Sequence, residues 1–305
     1  MSPIDLLTSP IIRYPLIIAL LVGITAPIVG TYLVQKRLSL LGDGLGHVAL
    51  TGVAAGWLAG SLTALTPVDA LAVPGALVAA VAGALIIECV RMAGHTSRDT
   101  ALAILFYGGI AGGVVIIQLA GGTSQSLMAY LFGSLATVSG ADLIIALVLA
   151  VVIVAVGVGL RPLLFAVTSD EEHAQAIGLP VRMVNILIAV MAALTVTLAM
   201  RIVGALMVSA LMIVPVAAAQ SMVRGFSRTM NLAIVIGVLC AVSGLLITVY
   251  VDLPPGGVIV LLSIGVYILG LMVSACARRS HPNHEHAVNH ETADQHAEHS
   301  EGSSV

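Results

Sequence analysis

Charge is what this 305-residue chain most lacks: Asp, Glu, Lys and Arg together make up 9% of it, against 59% hydrophobic residues. Soluble domains carry roughly 25% charged residues, so a soluble globular fold is excluded. Lysine occurs once, at Lys36, with no GxxxxGK[ST] run around it. The cradle that grips nucleotide phosphates in a P-loop is therefore missing, and ATP hydrolysis of that kind has to reside on another chain. No HExxH motif is present to hold and activate a zinc-bound water, which excludes that design of intramembrane metalloprotease. The three cysteines, Cys89, Cys240 and Cys276, form no CxxC and sit in apolar runs. They read as packing residues, with neither a disulfide framework nor a zinc knuckle.

What the chain has instead is apolar length. Runs of about 18 residues or more recur from Pro15 to Cys276, each long enough at 1.5 Å per residue to cross a hydrocarbon core of about 30 Å. The expected fold is all-α, a polytopic transmembrane helical bundle. Candidate spans are roughly 15–34, 43–65, 70–90, 100–120, 141–160, 183–200, 202–220, 230–250 and 256–276. That makes nine, or eight if the first segment lay on the membrane surface. The N-terminus has no basic n-region and its first apolar run continues to Val34, so it reads as a retained span and not as a cleavable signal. Residues 126–138 are apolar but too short to cross, and a half helix buried in protein at the outer side fits them. Residues 1–279 thus form the membrane domain and 280–305 a polar tail.

The few charges are unevenly placed. All twelve basic residues lie at or before Arg279, while five of the fifteen acids follow it. Lys36/Arg37, Arg91/Arg98, Arg161/Arg182, Arg224/Arg228 and Arg278/Arg279 fall on the same side of successive spans, the cytoplasmic side by the positive-inside rule. Arg13 and Arg201 fall opposite. This puts the N-terminus outside and the tail inside. Glu88, three residues before Arg91, is expected to pair with it or snorkel. Asp99 and Asp142 are expected to start helices. Gly52, Gly56 and Gly60 repeat every four residues, as do Gly108/Gly112 and Gly109/Gly113, a pattern for close helix packing.

Within this apolar setting Asp43 and His47 stand four apart, so a helix projects both from one face, about 40° apart around its axis. Two readings fit the spacing. The pair lies on an ion pathway, because intramembrane ionisable groups must pair, reach water or bind an ion. Alternatively Asp43 N-caps the second span near its inner end and His47 bonds to it or to a carbonyl. One pair gives two ligands where tetrahedral zinc takes four, so a two-fold homodimer would bring two pairs together.

Two polar segments stand out. The tail interleaves His281, His284, His286, His290, His296 and His299 with acids, a composition that cannot bury a core and predicts a disordered segment, one that either binds zinc and similar metals or is merely solvated. The stretch 168–180 begins with capping residue types and ends at Gly178, which predicts a short exposed helix offered to a partner or simply solvated, with His173 a surface residue.

The segments 37–47 (RLSLLGDGLGH), 99–101 (DTA), 131–134 (LFGS) and 203–215 (VGALMVSALMIVP) together resemble the integral permease subunits of ATP-binding-cassette importers for zinc, manganese and related divalent metals. The likeness covers roughly residues 15–276. It implies a type II importer-like permease fold, a multi-pass protein of a prokaryotic plasma membrane, no enzymatic activity of its own, and no bound cofactor besides the transported ion. It also implies a cytoplasmic ATP-binding subunit and an extracytoplasmic metal-binding protein as partners, with no nucleic acid. By the same resemblance Asp43 and His47 line the metal path, and Asp170, Glu171, Glu172, Ala174, Ala176 and Gly178 form the helix that couples to the ATPase. Gly44 and Gly46 flank positions where that family more often has alanine and serine, which predicts a looser helix. Zinc is the expected cargo, since imidazole suits zinc and manganese prefers oxygen ligands. A manganese or iron importer of the same family, or a self-sufficient secondary metal transporter, is the alternative.

Overall fold

In hydrocarbon a backbone finds no water to bond, so its N–H and C=O groups must satisfy one another within helices. The computed structural model describes residues 10–63, 68–93, 98–121, 124–134, 138–205, 207–251 and 253–279, and among these every regular element is helical. In chain order they are α1 (Pro10–Gln35), α2 (Leu41–Leu62), a short 3-10 turn (Val68–Leu71), α3 (Ala72–Ala93), α4 (Arg98–Leu119) and α5 (Ser124–Phe132). Then follow α6 (Gly140–Gly159), α7 (Arg161–Ser169), α8 (Glu171–Ala176), α9 (Val181–Val203), α10 (Val208–Met222), α11 (Phe226–Tyr250) and α12 (Pro255–Arg279).

Eight of these helices, α1, α2, α3, α4, α6, α9, α11 and α12, are long and apolar enough to cross a membrane. The segment expected as a full span at 202–220 is the exception. Its first two residues finish α9, the chain breaks at Gly204, and what remains is the 15-residue α10. The reason is local: Gly204 has φ +85°, a left-handed conformation that ends a helix and favours glycine. The short segment still carries the chain far. The carbonyl of Val203 meets Gly256 at the head of α12, whereas Ser221 and Met222 meet Gly270 of the same helix, about 21 Å further along at 1.5 Å per residue.

Nor does the first segment lie on a surface. α1 sits at the centre, against α6, α9, α10 and α11. It crosses α11 where small residues allow backbone contact: a Cβ on Gly23 would fall 2.8 Å from Val238 Cα, and one on Gly237 would fall 2.6 Å from Pro27 Cγ. α2 lies between α3 and α4, with its glycine ridge packed on α3 and the turn before it, Gly52 against Gly75 and Gly56 against Leu71. In α4, Gly109 and Gly113 face α2 while Gly108 meets nothing within 4 Å. Cys240 is buried packing, but Cys89 is exposed on the outside of the bundle.

The expected half helix is α5. It ends at Gly133 (φ +82°), directly against the end of α9. Ser134 N–H donates to the Arg201 carbonyl (3.1 Å) and Ala205 N–H to the Tyr130 carbonyl (2.9 Å), so two broken helices satisfy each other's irregular backbone. Gly256 completes the junction under the carbonyls of Val203 and Phe132.

The charges mark two ends. Lys36, Arg91 and Arg182 gather around α8, and Arg161, Arg224 and Arg228 line a neighbouring cavity. At the opposite end of α6, Arg201 Nε pairs with Asp142 Oδ1 at 3.5 Å, both side chains about nine-tenths buried. Asp142 also starts α6 as expected, in a capping box with Ser139.

Candidate functional site

Asp43 lies in the first turn of α2 and His47 one turn later, so the i,i+4 spacing puts both on one face. The cap of α2 is Leu40, with no side-chain hydrogen bond, so Asp43 is not the N-cap. Its carboxylate is half-buried and accepts from Ser209 Oγ of α10 at 3.4 Å. The imidazole of His47 is 4% exposed, and its buried Nδ1 has no hydrogen-bond partner. Asp43 is within electrostatic reach of it. Buried polar nitrogens almost always find a partner, so an orphan beside a carboxylate marks a group kept for something other than packing.

Two elements hold the histidine in place. From α4, the Phe106 ring meets the imidazole edge-on with centroids 4.3 Å apart, and a Cβ on Gly109 would come within 2.9 Å of the His47 Cβ. Thr51 Oγ1 donates to the Gly109 carbonyl at 2.6 Å, fixing α2 against α4. On the other side the link between α9 and α10 closes in, where a Cβ on Gly46 would stand 2.6 Å from the Ala205 carbonyl oxygen. The glycines around Asp43 therefore do not loosen α2, which is continuous from Leu41 to Leu62. They admit the backbone of the interrupted segment to the helix that carries the pair.

Among the described residues no group of three or more His, Cys, Asp or Glu comes together, so within one chain Asp43 and His47 remain a pair. The tail histidines, His281, His284, His286, His290, His296 and His299, lie outside the described residues.

The acidic stretch forms a helix as its sequence predicts. Asp170 caps α8 by accepting from His173 N–H at 2.9 Å, and Gly178 (φ +83°) ends the turn after it. Its residues divide between two faces. Asp170, Glu172, His173, Gln175, Ala176, Ile177 and Gly178 are exposed, while Ala174 is buried. Glu171 turns inward: it lies 3.6 Å from Lys36 Nζ and 3.7 Å from Arg91, and accepts from Asn185 Nδ2 at 2.7 Å. Lys36 also bonds the Asn185 amide oxygen, and Arg91 pairs with Glu88. Burial pulls the Lys36 ammonium below the ordinary lysine value, and the Glu171 carboxylate works against that.

Sequence reasoning passed over Phe106, Ser209 and Asn185 as site residues. Ser209 lies inside the 203–215 segment that carried the resemblance, and Asn185 was visible as an amide in an otherwise apolar run. Nothing local marked Phe106, whose role comes from packing between α2 and α4.

The model of the ABC 3 transport family matches residues 8–274. The chain is 31% identical over 271 residues to the manganese transport system membrane protein MntC of Halalkalibacterium halodurans, covering 88% of this chain and 89% of that one. It is 30% identical over 260 residues to the high-affinity zinc uptake system membrane protein ZnuB of Haemophilus influenzae, covering 83% and 95%. Among solved structures, PsaBC from Streptococcus pneumoniae in complex with Fab superposes with a TM-score of 0.76 at 28% identity, covering 88% of this chain and 93% of that one.

Proposed function

The chain belongs to the ABC 3 transport family, and from that premise we propose that it works as one of two identical permease subunits that pass zinc inward along Asp43 and His47. It is a multi-pass permease of a metal ABC importer, and ATP hydrolysis belongs to a separate subunit. The finer parts of the reading rest on its own residues.

One observation carries the pathway: the orphaned, buried Nδ1 of His47, one turn from a carboxylate that Ser209 orients. An imidazole nitrogen and a carboxylate are zinc ligand types. A pathway must bind the ion well enough to admit it and loosely enough to release it. Two ligands from each of two chains meet that need, forming a four-ligand set only while the pairs approach. The Phe106 ring covers the imidazole in this conformation, so loading requires α4 to shift against α2. Zinc over manganese is supported by the imidazole in the pair and by the six tail histidines, since manganese prefers oxygen. The relatives are named for both metals.

The exposed face of α8, with Glu172, Gln175, Ala176 and Ile177, is the surface for the ATPase, and its inward residue Glu171 ties that surface to the bundle. On this reading the basic end and the tail lie in the cytoplasm, and the charge distribution supports it. A solute-binding protein delivers the ion at the opposite end, beside the Arg201–Asp142 pair. The test is uptake of radiolabelled zinc into proteoliposomes holding this chain with its ATPase. ATP-dependent uptake that competing zinc abolishes, and manganese at equal concentration does not, is expected. Uptake by the permease alone, driven by a proton gradient, would overturn the reading.

A further inference from the structure

A second site stands at the basic end, away from Asp43 and His47. Arg161, Pro162 and Phe165 of α7 and residues 224–228 at the α10–α11 turn line an open surface cavity of about 520 Å³. Three arginines line it, and no Asp or Glu does. The guanidinium of Arg161 lies 5.7 Å from the Phe226 ring centroid, and Phe226 in turn packs on Phe165 in a tilted pair with centroids 4.7 Å apart. The guanidinium thus lies over an aromatic cluster, yet its buried Nη2 has no hydrogen-bond partner.

The backbone adds to the same field. α7 and α11 both begin at this cavity, and both start without a side-chain cap and without an acid in the first turn. Helix N-termini carry partial positive charge and unpaired N–H groups, and sequences ordinarily place Asp, Glu or a capping hydroxyl there. Here the first turns carry Arg161 and Arg228 instead. Five positive features around one space, with no Asp or Glu among the described residues that line it, make it a site for an anion.

The position says which anion. The cavity lies at the ends of α6 and α11, and Val158, Leu160, Phe165 and Met222 beside it are exposed apolar side chains. An arginine-lined cavity at the end of membrane helices, bordered by apolar surface, matches a phosphodiester headgroup with its acyl chains running down the bundle. We propose that Arg161, Arg224 and Arg228 form a binding site for the headgroup of an anionic phospholipid.

The proposal is independent of cargo and of the Asp43/His47 pathway, and it is tested without transport. The full-length protein, delipidated in detergent, is titrated with phosphatidylglycerol or phosphatidylcholine and read by native mass spectrometry. Retention of phosphatidylglycerol over phosphatidylcholine is expected. Replacing Arg224→Gln and Arg228→Gln together, both exposed and outside the aromatic cluster, should weaken that retention roughly tenfold or more. Arg182→Gln, an exposed arginine at the same end but outside the cavity, should leave it unchanged. Equal retention in the double variant overturns the proposal. So does displacement of the lipid by inorganic phosphate at equal concentration, which would make the cavity a simple ion site. Loss of ATPase association with unchanged lipid retention overturns it too, since the arginines would then be a protein-docking surface.

Discussion

Glu171, the first residue of α8, holds its carboxylate 3.6 Å from the ammonium of Lys36, the residue that follows α1 and leads into α2. A surface helix is thereby fastened to the turn that delivers Asp43. If α8 is the ATPase-docking helix proposed above, a push on it would reach α2 through this contact and through Arg91 and Asn185. Glu171→Gln should leave the protein in the membrane with its ATPase bound. The number of metal ions moved per ATP should fall about three- to tenfold, the size of a broken coupling between neighbouring charges. The paired exchange Lys36→Glu with Glu171→Lys should recover part of it. An unchanged transport-to-hydrolysis ratio in Glu171→Gln would show that α8 transmits nothing through this contact.

The proposed pathway pair, Asp43 and His47, makes its own demand. His47→Ala removes the unpartnered nitrogen without breaking any hydrogen bond of the fold, and Asp43→Ala removes one long bond from Ser209. Each should lower metal uptake at least tenfold while thermal stability in detergent stays within a few degrees. Ser209→Ala, which only frees the carboxylate to rotate, should cost about tenfold in apparent metal affinity with less effect on maximal rate, as for other groups that orient a ligand. Normal uptake in His47→Ala would leave the imidazole as packing under Phe106.

The glycine junction predicts a stability effect of the opposite kind. Gly204 has φ +85° and lies against the backbone of Phe132 and Gly133, so Gly204→Ala meets both strain and contact. Strain alone at such a φ costs about 1–3 kcal/mol. A lower unfolding temperature and poor recovery from the membrane are expected. Gly108→Ala, with nothing within 4 Å of the new methyl, serves as the neutral comparison. Equal behaviour of the two would contradict the close approach of α5 to the end of α9.

The contrast between these positions shows what the sequence could reveal. The helical class and eight of the nine expected spans were legible, because apolar length adds up residue by residue and needs no partner. The half helix at α5 was legible for the same reason, its run being too short to cross. The break at Gly204 was not, since a window of apolar residues carries no record of one positive φ. Gly46 was misread for a related reason: taken locally it suggests a weak helix, but the approach of the Ala205 carbonyl makes its missing side chain a packing requirement. Asp43 and His47 were legible as a pair through their spacing. That Phe106 covers the imidazole, and that Glu171 faces inward while Glu172 faces out, depends on contacts with α4, Lys36 and Asn185 that no local pattern encodes.

The histidine tail separates retention of metal from its passage. Six imidazoles in a segment too polar to form a core are ligands suited to zinc, but such a segment cannot shape a pore inside the bundle. Removing residues 281–305 should therefore leave the rate of ATP-driven zinc uptake within about twofold in proteoliposomes and should keep the preference for zinc over manganese. What should change is binding: by equilibrium dialysis the truncated protein should lose most of the zinc stoichiometry of the full chain. If truncation abolished uptake outright, or switched the preferred metal, the tail and not the Asp43/His47 pair would be setting what the permease carries.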